Sequence, residues 1–451
     1  MGVSLGEALR LFGRTVPAKL KPGGASVAFV GAGGKTTAIF ELARESPSPV
    51  WIAASTHLGA WQLGPADSHV VVEHGTEKLR SLGGKVIVVT GPLEADQRYA
   101  PVSPQVLRRL REGSSAAGRL LLIEADGSRQ RALKAPAAHE PPIPPFVERV
   151  VVVAGMSGIG KALTDANVHR PELFADLCRL RLGDPVTPQA LSQVLKDRRG
   201  GLKNIPPTAT RSLLLNQADT LELQAAASNV ADAVLDIYDG VVVADVKGHQ
   251  VLSVREQSGG IVLAAGAATR FGQPKQLLDW GGRPFVRAVA EQALTAGLTP
   301  VVVVTGCAAD RVEAALDGLP IQIARNDGWQ EGQASSIRAG LQALLAHTGA
   351  AVFLLADQPQ VTANVIRALI EAHQADLSPI VAPLILEEHR GNPVLFDRVT
   401  FPDLAQLQGD TGGRSLFSEH AVHYLPWHDA HLLIDIDTPE QYQKLLKEIG
   451  R

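Results

Sequence analysis

Two clusters of small and cationic residues in this 451-residue chain could hold the phosphates of a nucleotide. The first is GIVLAAGAATRFGQPK, Gly260 to Lys275. An apolar strand, Ile261–Ala264, runs into a turn of small residues. Around Leu263, Ala264, Ala265 and Gly266, backbone N–H groups can approach an anion closely, and Arg270 and Lys275 can neutralise it. That chemistry grips a nucleoside triphosphate and steadies departing pyrophosphate. The second cluster, VGAGGKTT, lies far upstream at Val30–Thr37. Gly31, Gly33 and Gly34 form its turn; Lys35 and the hydroxyls of Thr36 and Thr37 suit phosphate and metal. It departs from GxxxxGK[ST], because Phe29 stands at the first glycine position.

Carboxylates complete both clusters. Asp357 directly follows the apolar run AVFLLA, and Gln358 and Pro359 then turn the chain. Asp435 and Asp437 end LLIDID, just before Thr438 and Pro439. Two strand-end carboxylates could share one Mg²⁺, a hard cation that takes oxygen ligands. The local alternative is that they cap the helices that follow. In the first half, LLLIEADGSRQRALKAP places Glu124 and Asp126 at a strand end, with Arg129 and Lys134 after them. His57 in STHLG, His169 in VHRPE and His139 beside Glu140 read as local hydrogen-bonders rather than catalysts.

The elements that must position these residues alternate, short β-branched runs with helical stretches, which is the pattern of α/β folds. Strands are expected at Ser26–Gly31, Val50–Ala54, His69–Val72, Val86–Thr90, Leu120–Glu124 and Val150–Ala154. They are apolar almost throughout, as in a parallel sheet covered on both faces. Glu172–Tyr238 reads as mainly helical, and Val241–Ala244 as a closing strand. The polar stretch Asp245–Gly259 reads as a join. A new series then begins at Ile261–Ala264, Val301–Thr305, Ile321–Ala324, Ala351–Ala356, Ile380–Pro383, Pro393–Phe396 and Leu432–Ile436. The expected domains are therefore residues 1–250 and 258–451. The first is a P-loop-like α/β domain with a helical segment. The second is a Rossmann-like domain with a mainly parallel sheet.

Composition narrows the partners. The hydrophobic share of 45% and charged share of 20% are those of an ordinary globular protein. A net charge of −3 and only 4% aromatics argue against nucleic acid as a partner. No apolar run approaches the roughly 18 residues of a bilayer span, and the N-terminus lacks the long apolar core of a signal peptide. Two cysteines, Cys178 and Cys307, form no metal-binding spacing and fit a reducing compartment. The expected location is the cytoplasm, away from membranes.

Leu263–Lys275, with Asp357–Pro359 and Asp435–Pro439, resembles the MobA-like nucleotidyltransferase family. EGQASSIRAGL (Glu331–Leu341), GNPVLF (Gly391–Phe396) and GDTGGRSLF (Gly409–Phe417) look like its molybdenum cofactor cytidylyltransferase branch. The likeness spans almost all of Gly260–Arg451. It implies attack by the terminal phosphate of molybdopterin on the α-phosphate of CTP, giving molybdopterin cytosine dinucleotide and pyrophosphate. Arg270 and Lys275 would bind the triphosphate, and Asp357, with Asp435 or Asp437, would hold Mg²⁺. Gly332, Ser335 and Ser336 would hydrogen-bond the nucleotide. Asn392, Asp410 and Arg414 would face the pterin, unless they simply form turns. Ala265 stands where the guanylyl branch has glycine, which favours cytosine. Transfer to another phosphate ester, such as a sugar phosphate, GTP as donor, and a non-catalytic cofactor chaperone are the rival readings.

In the first half GAGGKTT, STH, EADGSR, LKAP, HEPPIP and VHRPE look like the YqeC-type accessory proteins of selenium-dependent molybdenum hydroxylases. This likeness covers roughly Leu5–Ala244. It implies a nucleotide site for ATP or GTP and an apo molybdenum hydroxylase as partner, without defining a reaction.

Overall fold

The computed structural model describes residues 2–13, 25–72, 83–267, 273–386, 389–434, 436 and 438–448. Arg270, Asp435 and Asp437 lie outside the described residues. The chain divides into two units, Met1–Arg255 and Glu256–Arg451. Each has its own α/β sheet and its own core.

The sheet of the first unit has nine strands. In chain order they are β1 (Ser26–Gly31), β2 (Val50–Ala54), β3 (Ser68–Val71), β4 (Val86–Thr90), β5 (Leu120–Glu124), β6 (Arg149–Gly155), β7 (Thr210–Asn216), β8 (Gly240–Asp245) and β9 (Gln250–Arg255). Their spatial order is β9-β8-β7-β6-β1-β5-β2-β4-β3. Every pairing is parallel except β8 with β9. Strands β1, β2, β4 and β5 are buried almost end to end, as continuous Val/Ile/Leu runs require when helices cover both faces.

Helices α1 (Lys35–Glu45), α2 (Pro104–Ala116), α3 (Pro171–Cys178), α4 (Pro188–Lys196) and α5 (Leu221–Val234) supply the cover. In α1, Ala38, Ile39, Leu42 and Ala43 recur at helical spacing and are buried. Three of the helices start on a hydroxyl cap: Ser103, Thr187 and Thr220 accept from Val106, Ala190 and Leu223 N–H groups. Pro104 and Pro188 then occupy the first helical turn, where no N–H is needed.

Two readings of this half need correction. Glu172–Tyr238 is not mainly helical, because it contains β7, which sits between β6 and β8. The polar join Asp245–Gly259 is not a linker. Its first part turns back as the antiparallel edge strand β9, and Ser258 and Gly259 already belong to the next sheet.

The second unit contains an eight-stranded sheet. Its longer strands are β10 (Ser258–Ala264), β11 (Val301–Thr305), β12 (Gln322–Arg325), β13 (Ala350–Leu355), β14 (Ile380–Ile385), β15 (Val394–Asp397) and β16 (Val422–Trp427). The order is β12-β11-β10-β13-β15-β14, and β16 pairs in parallel with β14. Only β15 and the two-residue strand His389–Arg390 introduce antiparallel pairing. Helices α6 (Phe285–Thr295), α7 (Gln333–Gln342), α8 (Ala363–Asp376) and α9 (Pro439–Glu448) complete the unit. Among the described residues of the expected strand Leu432–Ile436 no strand forms: Ala430–Leu433 is a 3₁₀ turn capped by Asp429. The chain runs from β10 to β11 on one side and later returns with β13 on the other. Such a reversal opens a crevice beyond the carboxyl ends of the strands, where α/β sheets bind ligands.

Candidate functional sites

In the second unit, that crevice is a cleft of about 680 Å³ lined by Leu263, Ala265, Gly266, Ala267, Lys275, Trp329, Glu331, Gly332, Ser336, Asp357 and Asp410. Strand β10 delivers the loop and β13 delivers Asp357, their ends held side by side by the pairing of Leu263 with Leu355. The loop's carbonyls are turned into the protein. Leu263 O accepts from Ala356 N–H at 3.1 Å, and Ala265 O from Cys307 N–H at 3.0 Å. Ala264 O and Gly266 O both accept from the Gln276 side-chain amide, at 3.0 and 2.8 Å. Four successive acceptors are therefore satisfied by protein donors, and N–H groups remain to meet an anion. Lys275 lines the same cleft.

Asp357 is followed by a tight turn in which Gln358 N–H bonds Leu355 O at 3.1 Å. Gln360 then donates to Ile434 O at 2.8 Å. This ties the turn after Asp357 to the segment that leads in sequence to Asp435. Among the described residues, no group of three or more His, Cys, Asp or Glu side chains is placed to hold a metal.

The opposite wall is the N-terminal end of α7. Gly332 has φ +102°, and a Cβ there would lie 2.4 Å from the Gly409 carbonyl carbon. Only glycine fits that approach. Ala334 N–H bonds Gly409 O at 3.1 Å, and Gln333 N–H bonds Asp410 Oδ1 at 3.3 Å. Asp410 thus stands on the cleft, at a helix N-terminus. Ser336 lines the cleft, whereas Ser335 points to local backbone, donating to Gly332 O at 2.8 Å. Buried Asn326 holds both serines, at 2.8 and 3.0 Å.

Asn392 and Arg414 come together away from the residues that line the cleft. Arg414 donates to Asn392 Oδ1 at 3.2 Å and to Arg390 O at 3.3 Å. Arg390 in turn lies over the rings of Phe417 and Tyr424, at 5.9 and 5.4 Å. Nothing in the spacing of the sequence flagged Arg390, Asn326 or Gln276.

In the first unit, β1 ends at the turn Ala32–Gly34, and Gly31, Gly33 and Gly34 all have positive φ. A Cβ at Gly33 would meet the Gly155 backbone at 2.2 Å. Lys35 folds back over the turn and donates to Gly31 O at 2.7 Å. It also lies 3.2 Å from Asp126 Oδ1, with both side chains buried. Gly31 N–H donates to both Asp126 oxygens, at 3.1 and 3.0 Å. The chain of charges continues: Lys134 is 2.8 Å from Asp126 and 2.8 Å from Glu140, and Arg170 grips Glu140 with two bonds of 2.7 and 2.9 Å. A bidentate Arg–carboxylate pair is among the stronger polar contacts.

Thr36 donates to Glu124 Oε2 at 2.9 Å and accepts from Gln62 at 2.8 Å, whereas Thr37 is exposed. Burial pushes the Glu124 carboxyl up against the opposing pull of Lys35 and Thr36. Asn216 donates to Gly33 O at 2.8 Å and so braces the turn from β7. The enclosed space beside Asp126 and Lys134 holds only about 40 Å³, too little for a nucleotide. A phosphate ligand would lie on the outer side of the turn, over the start of α1.

The three histidines are placed unequally. His57 pairs with Glu94 at 3.1 Å, both half-exposed, and His139 is exposed. His169 lies in the charged chain, where burial, then the cations Arg170 and Lys134, depress its pKa from 6.5 to about 4. Between those values the unfolded chain binds a proton that the folded one refuses, so stability falls as pH drops through that window. Burial alone would raise Glu140, but Arg170 and Lys134 outweigh it and hold its pKa at about 2. Its contribution is intact above the ordinary 4.5 and is lost as pH falls toward 2. Glu124, raised by burial, works in the opposite sense. An NMR titration of the full chain should find His169 still neutral at about pH 5. A midpoint near its ordinary value would remove it from the charged chain.

Comparison with known proteins bears on both units. The family profile of the MobA-like NTP transferase domain matches residues 260–424, and that of the YqeC protein matches residues 27–172. The nicotine blue oxidoreductase of Paenarthrobacter nicotinovorans is 34% identical over 198 residues, 42% of this chain and 95% of that protein. The uncharacterized protein YqeC of Escherichia coli K12 is 28% identical over 239 residues, 51% of this chain and 90% of that protein. A 3-deoxy-manno-octulosonate cytidylyltransferase of Methylococcus capsulatus is 33% identical over 155 residues, 34% of this chain and 56% of that protein. Among the described residues, no helix is long and apolar enough to cross a membrane.

Proposed function

Since the chain belongs to the MobA-like NTP transferase family and carries a YqeC domain ahead of that region, we propose that its second unit makes molybdopterin cytosine dinucleotide from CTP and molybdopterin. The observation that supports this reading is the cleft, where a loop whose carbonyls from Leu263 to Gly266 are bonded inward, Lys275 and Asp357 converge. The α-phosphate of CTP is attacked by the terminal phosphate of molybdopterin. One P–O bond forms to that oxygen, the bond to the β-phosphate breaks, and pyrophosphate leaves. No strong base is required, because the attacking phosphate is ionised at neutral pH.

Lys275, with Arg270, neutralises the charge that gathers on the leaving group, where it is worth most in a site that excludes water. The loop N–H groups hold the triphosphate in line, so the transfer is chiefly a matter of placement. The donor chemistry of the cleft fits a hard cation, since Asp357 and Asp410 both offer oxygens there. Asp357, with Asp435 or Asp437, would hold Mg²⁺, which when bound would supply positive charge against the triphosphate. Asn392 and Arg414, with Arg390 behind them, offer donors suited to the pterin substrate. Asp410, read with them on the pterin side, also lines the cleft and accepts from Gln333 N–H.

Cytosine is favoured by Ala265. It stands where the guanylyl branch has glycine, and its methyl group packs against Gly306, where an added Cβ would come within 2.8 Å of it. A relative named as a cytidylyltransferase agrees with this choice. We read the first unit as a P-loop-like site for ATP or GTP, built on Gly31–Thr37 with Glu124 and Asp126. Its role would be to pass the finished cofactor to an apo molybdenum hydroxylase. Joining the two activities in one chain raises their effective concentration.

The deciding experiment is incubation with molybdopterin, Mg²⁺ and each nucleoside triphosphate, followed by identification of the dinucleotide. CTP should be consumed in preference to GTP. Preferential use of GTP would sink the cytosine assignment. Turnover with sugar phosphates instead of molybdopterin would replace the acceptor. Pterin binding without pyrophosphate release would make the unit a cofactor chaperone.

A further inference from the structure

Gln276 sits in the 3₁₀ turn Lys275–Leu277 and is only 5% exposed. Its amide nitrogen donates to two carbonyls two residues apart, Ala264 O at 3.0 Å and Gly266 O at 2.8 Å. Its own oxygen, Oε1, is buried and finds no hydrogen-bond partner among the described residues. A side chain kept there for packing would be better apolar, since an amide leaves a buried acceptor unpaired. What the amide uniquely supplies is two N–H donors on one atom, diverging in a plane. Those donors satisfy two adjacent bends of the loop at once. The other two carbonyls of the loop, on Leu263 and Ala265, are satisfied by backbone donors that the sheet and its following turn provide. Gln276 alone closes the set.

We propose that Gln276 is the positioning residue of the triphosphate loop: it draws the carbonyls of Ala264 and Gly266 inward so that the loop presents N–H groups to the phosphates of the nucleotide. This deepens the nucleotidyltransferase reading and rests on it. The residue does not touch the reacting atoms. It acts through the loop, and its place next to Lys275 means that one turn supplies both the clamp and the charge. Without the amide, Ala264 O and Gly266 O lose their partner and rotate toward any donor or water they can find. The loop then offers mixed polarity to an anion. A glutamate of the same shape is worse, because its oxygens face the two carbonyls with no hydrogen between them.

The test compares the full chain with Gln276→Met and Gln276→Glu. Met keeps length and volume and removes only the donors. CTP affinity is measured by calorimetry with Mg²⁺, alongside KM for CTP, KM for the acceptor, kcat and melting temperature. For Gln276→Met, CTP Kd and KM should rise about tenfold, with acceptor KM and melting temperature nearly unchanged. Gln276→Glu should raise them further. Wild-type CTP affinity in Gln276→Met overturns the proposal. So does an equal rise in the KM of both substrates, which would mark general loosening. If the wild type binds CTP but transfers nothing, the enzymatic reading fails while the Kd comparison still decides the clamp. If it binds no CTP, both fall.

Discussion

Asp357→Ala should cut pyrophosphate release at least about 100-fold and leave the chain folded. The activity falls because Asp357 is the carboxylate that β13 brings to the cleft proposed to hold the triphosphate. The fold survives because its strand is pinned on both sides, by β10 and by β15, through residues that precede Asp357. The turn beyond it is held by backbone bonds of Gln358 and Val361 rather than by the Asp357 side chain alone. Rates measured at several Mg²⁺ concentrations separate two roles. A metal-holding carboxylate gives a variant whose remaining activity needs far more Mg²⁺. Near-normal turnover would remove Asp357 from the metal site.

Lys35→Ala should abolish nucleotide binding in the first unit while sparing transfer in the second. Lys35 is buried against Asp126 and caps the carbonyl end of β1. Breaking a buried pair costs roughly 3–5 kcal/mol when the remaining charge is stranded. Here Asp126 keeps Lys134 and the Gly31 N–H, so the loss should fall at or below the lower end of that range. Thermal unfolding of the variant reads this loss, and ATP and GTP binding reads the site. An equal loss of pyrophosphate release would mean that the two sites do not work independently.

The sequence was most readable where the fold is most regular. Runs such as VAFVG and LLLIE are buried on both faces and can be little other than interior parallel strands. Edge strands were harder. β16 is VHYLPW, half-exposed, with a proline that removes a ladder donor. β9 is polar because it closes the sheet, and it passed for a join. β7 was hidden by the helical stretches on either side of it, although Leu213–Leu215 are fully buried. The run LLIDI misled in the other direction: apolar residues recur there, yet Asp429 starts a 3₁₀ turn over Ala430–Leu433.

The sites divide along similar lines. Residues whose chemistry depends on close neighbours in sequence, such as Gly33 with Lys35, could be read directly. Residues that act across long separations could not. Asn216 braces a turn 183 positions away, and Asn326 works by orienting two serines of the next helix. Asp410 meets the start of α7 across 77 positions, and no local signal reveals that contact.

That meeting has an evolutionary corollary. Gly332 and Gly409 touch backbone to backbone, so no side chain can grow at Gly332 without displacing its neighbour. The peptide that opens α7 and the one that leads to Arg414 are therefore geared to each other. Grafts meant to retune specificity should therefore transplant 331–341 and 409–417 as a single cassette.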